Sequence, residues 1–336
     1  SPPVVGLIKF DVLGIRNLAI LGNAIQIVKN TRRVEIDLHK IPIDGGTDEG
    51  AKKTFEMLSR GETMGTFQLN GGGMTKFLKE LKPTRIEDIM AMVALYRPGP
   101  MAVIPEYIAR KNNPKLIKFL DPRMEKFLDM SYGLIVYQDD LLFCALDLAG
   151  YTWEEADKFR KAVGKKIPEE MAAQREKFET GIVNNGQSKQ FAEKLWKLFE
   201  PFQSYGFNKA HAASYGMVAY YTSYMKANFA VEYMTALLSA ESSDSIKVSQ
   251  AVHECRRMGI EVLVPDINES ELDFAIKNSA IRFGFSAIKN VGKVAIDIIL
   301  EARKSGPFLT FMDFVNRVDS RKVNKRVLES LIKVGA

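Results

Sequence analysis

Cysteine is nearly missing from this chain: Cys144 and Cys255 are the only two, and they stand far apart. They supply neither a disulfide framework nor a CxxC zinc knuckle, so a reducing, cytoplasmic setting is the expectation. Three histidines, His39, His211 and His253, have no clustered cysteine or acid around them, which argues against a zinc site. No GxxxxGK[ST] occurs, so the glycine run of FQLNGGGM lacks the lysine and spacing of a phosphate-cradling loop and reads as a flexible turn. Long apolar runs are also absent. The opening GLIKFDVLGIRNLAIL is interrupted by Lys9, Asp11 and Arg16, which excludes a signal peptide or a membrane span there. Neither a solenoid repeat nor a low-complexity tract interrupts the chain. One further absence is local. From Pro201 to Val231 there is no Asp or Glu, while the same stretch holds five tyrosines, three phenylalanines and two lysines.

What is present suits a globular protein. The chain has 336 residues, 46% hydrophobic and 26% charged, enough for two or three domains with a substantial core. A net charge of +6 permits a polyanionic partner without requiring one. GLIKFDVLG alternates as a strand, with Lys9 and Asp11 on one face. IRNLAILGNAIQIVKN has the spacing of an amphipathic helix. A helix is expected over 47–60 with Asp48 near its start, and helical periodicity runs over 76–95 with a break at Pro83. YRPGP must leave the helix. Residues 123–230 are dominated by helical patterns, with Thr152 and Glu155 spaced as a capping box. Beyond VHECRRMGI, the segments VLVPDIN and DFAIKNSAIRFGF read as strands, with KNSA as a hairpin turn, and two helical patterns close the chain. The start on Ser1-Pro2-Pro3, directly before a strand pattern, is what a piece of a longer protein would show.

Three places carry chemistry. KFRKAVGKK gathers Lys158, Arg160, Lys161, Lys165 and Lys166 near a helix end, a patch suited to phosphates, since Arg offers bidentate bonds and Lys a point charge. Its bland alternative is a solvated helix end paired with Glu154, Glu155, Glu169 and Glu170. YGFNKAHAASY brings Tyr205, Asn208, Lys209 and His211 together, a setting for an anionic, ring-bearing ligand or for an aromatic core. Tyr215, Tyr220 and Tyr224 have helical spacing and read as core. Arg97, held before two prolines, is preorganised for an anion if YRPGP is more than a rigid turn.

GLIKFDVLG, FQLNGGGM, ALYRPGP, YGLIVYQDD, FRKAVGKK, YGFNKAHAASY, ECRRMGI, VLVPDIN and GFSAIKNVG follow one another along practically the whole chain. In that order they resemble the alpha subunit of bacterial DNA polymerase III, the C-family replicative polymerases. The resemblance implies a mainly α-helical fold with a few strands. It assigns 1–30 to the end of a palm, 31–265 to fingers, and 266–336 to a strand hairpin and a helix–hairpin–helix module that binds DNA. It further implies that Asp11 is a metal ligand for Mg²⁺, with Lys9 beside it in the catalytic site. Two more palm aspartates of the family would precede Ser1, so this chain alone is expected to be inactive. Arg97, Arg160, Lys161, Lys165, Tyr205, Asn208, Lys209 and His211 are implied to meet the incoming dNTP. Lys161 stands where many relatives carry Arg, which exchanges a bidentate grip for a point charge. Lys289, Asn290, Gly292 and Lys293 match the hairpin that meets DNA phosphates through backbone amides. Asn290 replaces the first glycine of the usual turn, and Asn tolerates a left-handed backbone better than most residues. The implied partners are primer–template DNA, dNTPs and, through segments outside this chain, other replicase subunits, with no membrane. The rival reading is a non-catalytic scaffold that holds DNA phosphates with the same basic helix and hairpin. A third is an interaction protein docking a partner on exposed aromatic helices.

Overall fold

The computed structural model describes residues 14–165, 168–202 and 207–336. The strand expected over GLIKFDVLG falls almost wholly outside them, together with Lys9, Asp11 and Tyr205. Helices dominate the rest. Helix α1 (Arg16–Arg32) buries Ile20, Leu21, Ala24 and Val28, which recur at helical spacing. Asp48 caps α2 (Glu49–Ser59), its carboxylate accepting the Ala51 amide at 2.8 Å. The glycine run is a helix start and not the flexible turn expected of it: Gly71 is the N-cap of α3 (Gly72–Leu81). Gly73 makes room there for the Tyr96 hydroxyl, which would have to shift to admit a Cβ. Pro83 separates α3 from α4 (Ile86–Leu95), and the chain then turns out through Gly99 at φ 92°.

Further helices follow in order: α5 (Ile104–Asn112), α6 (Glu125–Leu128), α7 (Gln138–Asp147), α8 (Trp153–Lys165), α9 (Pro168–Asn184), α10 (Lys189–Phe199) and α11 (Lys209–Asn228). The capping box before α8 forms as spaced: Thr152 Oγ1 accepts the Glu155 amide at 3.3 Å, and Glu155 accepts the Thr152 amide at 2.8 Å. After α12 (Ala230–Ala240) and α13 (Ser245–Arg257) come the strands β1 (Val262–Leu263), β2 (Ala275–Lys277) and β3 (Ala280–Arg282). β2 and β3 form the expected hairpin, with Asn278 and Ser279 both at positive φ as a tight two-residue turn requires. β1 joins β3 in parallel, a pairing between distant segments that periodicity does not encode. The chain closes with α14 (Lys293–Arg303), α15 (Phe311–Arg317) and α16 (Lys325–Lys333). The short α15 has no strong apolar period, but Thr310 accepts the Asp313 amide at 3.1 Å while Asp313 accepts the Leu309 amide at 3.0 Å. A T-x-x-D spacing was its only sequence signal.

The chain divides into two compact units, one of residues 39–227 and one joining the segment up to Leu38 with Asn228–Ala336. In the first, α11 is the spine. It buries Ala212, Gly216, Ala219 and Tyr220, as expected of the tyrosine stripe, whereas Tyr215 and Tyr224 are half-buried. Near its end the wholly buried Lys226 donates to the carbonyls of Glu62 and Met64, both at 2.8 Å, and Thr222 Oγ1 accepts the Phe67 amide at 3.0 Å. Phe159 of α8 stacks on Phe178 of α9 at 5.4 Å, and Trp196 and Phe199 of α10 close that cluster. In the second unit α1 packs on α12, and Arg32 grips the buried Glu232 through two bonds of 2.6 and 3.0 Å. Phe285, Ile296, Ile299, Phe314, Val327 and Leu331 bring α14, α15 and α16 around one core. Among the described residues no helix is long and apolar enough to cross a membrane.

Lys226→Met keeps the volume of that buried side chain but leaves two carbonyls unsatisfied. The expected cost is about 1–3 kcal/mol, read as a lower urea midpoint with an unchanged slope.

Candidate functional site

Three of the sequence landmarks meet at the start of α7, and two more join them through Phe207 and Tyr215. Its first residue, Gln138, donates its backbone amide to the Phe207 carbonyl at 3.0 Å. The side-chain Oε1 of Gln138 accepts from Arg160 Nη1 at 3.3 Å. Asp139 Oδ2 accepts the amide of Lys209, the first residue of α11, at 2.7 Å. Asn208 caps the same helix, accepting the His211 amide at 3.0 Å. Arg97, from the YRPGP turn, lies over the Phe207 ring at 3.9 Å and donates to the Val93 carbonyl at 3.2 Å. Its Nε is buried without a hydrogen-bond partner, and burial lowers the pKa of the guanidinium. From Phe207 an aromatic ladder runs through His211 at 4.9 Å and Tyr215 at 4.1 Å to Phe67 of FQLNGGGM at 5.3 Å. His211 is exposed, so one end of the ladder faces solvent.

Alongside stands the basic turn of α8. Lys158 pairs with Glu154 at 2.8 Å, Arg160 with Asp157 at 2.7 Å and Lys161 with Asp157 at 2.6 Å. The solvated-helix reading is therefore met in part, since each of these cations has a carboxylate partner on its own helix. Arg160 differs from the rest: it is 30% exposed against 58% for Lys161, and it alone of the pair reaches Gln138. The side chain of Lys165 lies outside the described residues. Lys209 carries its ammonium 5.6 Å from the Tyr137 ring centre. The acid-free stretch 201–231 is thus not acid-free in space. Asp139 is delivered to it by α7, because the unpaired amides of a helix N-terminus draw a carboxylate from wherever the fold can supply one.

Two carboxyls are strongly perturbed. Burial raises Asp140 from the ordinary 3.8 to about 7, against the pull of the Tyr137 and Val136 amides that it accepts at 2.8 Å each. Glu155 is drawn down to about 2, first by its bond to Lys177 and then by the Thr152 amide and hydroxyl. Asp157 is held below the usual range by Lys161 and then Arg160.

The hairpin before α14 lies in the other unit. Asn290 takes the left-handed conformation, φ 69°, and its Nδ2 donates to Ser330 Oγ at 3.2 Å, so the replaced glycine's backbone geometry is kept. Gly292 is the N-cap of α14 at φ −85°, with open space where a Cβ would be. Lys289, Asn290, Gly292 and Lys293 are all exposed. Asp11 lies outside the described residues, and among those described no group of three or more His, Cys, Asp and Glu stands together as metal ligands would. Sequence reasoning did not single out Gln138, Phe207 or Asp157 within or beside the landmarks. Only Asp157 carried a signal, its i,i+3 and i,i+4 spacing to Arg160 and Lys161.

Residues 17–186 match the family of the bacterial DNA polymerase III alpha subunit finger domain, and residues 259–336 match a helix-hairpin-helix motif. The DNA polymerase III subunit alpha of Thermus aquaticus is 47% identical over 98% of this chain and 27% of its own length. That of Mycobacterium leprae (strain TN) is 44% identical over 99% of this chain and 28% of its own. That of Borreliella burgdorferi is 40% identical over 98% and 28%. The chain therefore spans 27–28% of the length of these relatives.

The raised Asp140 sets a pH signature. Folding retains a proton that the unfolded chain gives up between about pH 4 and 7, so this group's contribution to stability falls as pH rises through that window. Asp140→Asn keeps an acceptor for the two amides and removes the titration. The difference between wild-type and Asp140→Asn unfolding free energies is expected to slope across pH 4–7 and to flatten above it, as chemical denaturation at a series of pH values can check.

Proposed function

The chain belongs to the family of the bacterial DNA polymerase III alpha subunit, and we propose that it forms the fingers of a replicative DNA polymerase. In this reading the fingers hold the incoming dNTP and primer–template DNA, residues 31–265 being the fingers proper. Residues 1–30 complete the palm, and 266–336 form the duplex-binding module. The observation that carries the reading is the junction at Gln138, where Arg160, the Phe207 peptide and the start of α11 meet.

Each residue then has a physical task. Arg160, aimed by Gln138, offers the fork of its guanidinium to triphosphate oxygens, while Lys161 and Lys165 add point charge. Arg97 contributes charge from a half-buried position where solvent screens it less. Lys209 and Asn208 open α11, and His211 and Tyr205 supply ring faces for sugar or base. Asp11 would hold Mg²⁺, with Lys9 beside it, and Mg²⁺ when bound supplies charge compensation for phosphoryl transfer. One carboxylate does not hold a metal pair, so the isolated chain is expected not to extend a primer. Contacts to other replicase subunits and a cytoplasmic setting belong to the same proposal. The exposed hairpin at 289–293 favours a second reading, a non-catalytic scaffold that binds DNA phosphates without any nucleotide site.

Fluorescence anisotropy of a labelled primer–template, with and without the next correct dNTP and Mg²⁺, separates them. The polymerase reading expects salt-sensitive binding that dNTP tightens, and loss of the dNTP effect in Arg160→Ala/Lys161→Ala. Binding indifferent to both would leave the scaffold. Lys289→Ala/Lys293→Ala should weaken DNA binding about equally for all sequences and reduce the slope of log affinity against log salt by roughly 1–2.

A further inference from the structure

Asp157 has no task in the reading above, yet it occupies both cations assigned to the triphosphate. Its Oδ1 accepts from Arg160 Nη2 at 2.7 Å and Nε at 3.2 Å, and its Oδ2 pairs with Lys161 Nζ at 2.6 Å. Two oxygens of one anion, one on the edge of a guanidinium and one on an ammonium, is also how a phosphate group would use these donors. Ligand phosphate and Asp157 therefore compete for the same hydrogens.

The surroundings suit an exchange. Ala156 and Phe159 are wholly buried and anchor this turn of α8 in the core, so the backbone stays in place whichever anion is bound. The Asp157 side chain is 38% exposed, so it can swing to solvent without opening the core. Gln138 holds the remaining Nη1 of Arg160 at 3.3 Å, which keeps the guanidinium aimed after Asp157 lets go. Lys158 is engaged by Glu154, so it offers no alternative partner that would keep Asp157 in place. Exposed pairs of this spacing are individually weak, so a polyphosphate can displace the carboxylate and the carboxylate can return.

We infer that Asp157 is a built-in competitor at the polyphosphate site, neutralising Arg160 and Lys161 when the site is empty and speeding departure of pyrophosphate-like anions by reclaiming both cations. The inference rests on the reading that Arg160 and Lys161 meet a nucleotide triphosphate. Asp157 is a positioning residue: it acts on the ligand through the two cations it holds.

The test is calorimetric titration of the 336-residue chain with inorganic tripolyphosphate and with pyrophosphate, for wild type, Asp157→Asn, Asp157→Glu and Arg160→Ala/Lys161→Ala. Circular dichroism would confirm the fold of each variant. In parallel, the Arg160 Nε–H resonance reports exchange of carboxylate for phosphate, which a purely structural role would not move. Asp157→Asn is expected to tighten both anions roughly 3–10-fold, the scale of a weak exposed ion pair, and Asp157→Glu to return affinity toward wild type. If Arg160→Ala/Lys161→Ala abolishes binding but Asp157→Asn binds no tighter than wild type, the competitor role is overturned and the phosphate site stands. If no form binds tripolyphosphate, or binding ignores the double variant, the site itself is wrong and the competitor falls with it.

Discussion

The polar junction opening α7 is the constraint on which the rest of the candidate site depends. Three consecutive residues each bind a different part of the chain or of their own turn: Gln138 takes the Phe207 carbonyl and Arg160, Asp139 takes the first amide of α11, and Asp140 closes the turn before it. Backbone amides at a helix start have no partner within their own helix, so a carboxylate that satisfies them from another segment fixes how the two segments meet. Asp139 does this across a separation of 70 residues, and with the Gln138–Arg160 bond it ties the aromatic helix α11 and the basic helix α8 to the same helix start.

Behind that junction the electrostatics are balanced rather than one-sided. Asp140 is buried at a cost that shows in its raised pKa, yet its oxygen serves two amides that would otherwise be orphaned. Asp157 and Glu154 neutralise the basic turn, and the Lys177–Glu155 pair ties α9 to the start of α8. On the proposed reading, a surface that accepts and then releases a polyanion is served by cations with weak internal partners. Unpaired cations would hold any phosphate, and deeply paired ones would hold none. Arg97 is the exception, with its guanidinium laid on Phe207 and its Nε left without a partner.

The hairpin of the other unit solves a different problem with similar means. Its backbone turns through a left-handed residue, Asn290 at φ 69°. Asn290 meets that demand without a glycine because its side chain bonds to Ser330 on α16. Beside that turn α14, α15 and α16 pack around one core with Phe285 and Ile299 in it.

Local structure was legible because it depends on neighbours in sequence. Helical periodicity, the break at Pro83, the caps at Asp48 and Thr152 and the β2–β3 turn all rest on interactions spanning a few residues. The ordered landmarks likewise carried the family, since they occupy nearly the whole chain. The short α15 and the parallel pairing of β1 were hidden, because a single cap or a distant strand decides each, and the start of α3 was hidden because glycine carries no side-chain cap to mark it. The candidate site was half legible. Arg160, Lys161, Lys209 and His211 stood out by residue type, and Glu154 as a partner of the basic patch, but Gln138 and Asp139 did not. By itself the sequence determined which residues could meet a phosphate, since charge and hydrogen-bonding capacity belong to the side chain. Only the tertiary structure decided how those residues are brought together, because Gln138 and Asp139 reach Arg160 and the start of α11 through contacts between segments whose separation no local pattern records.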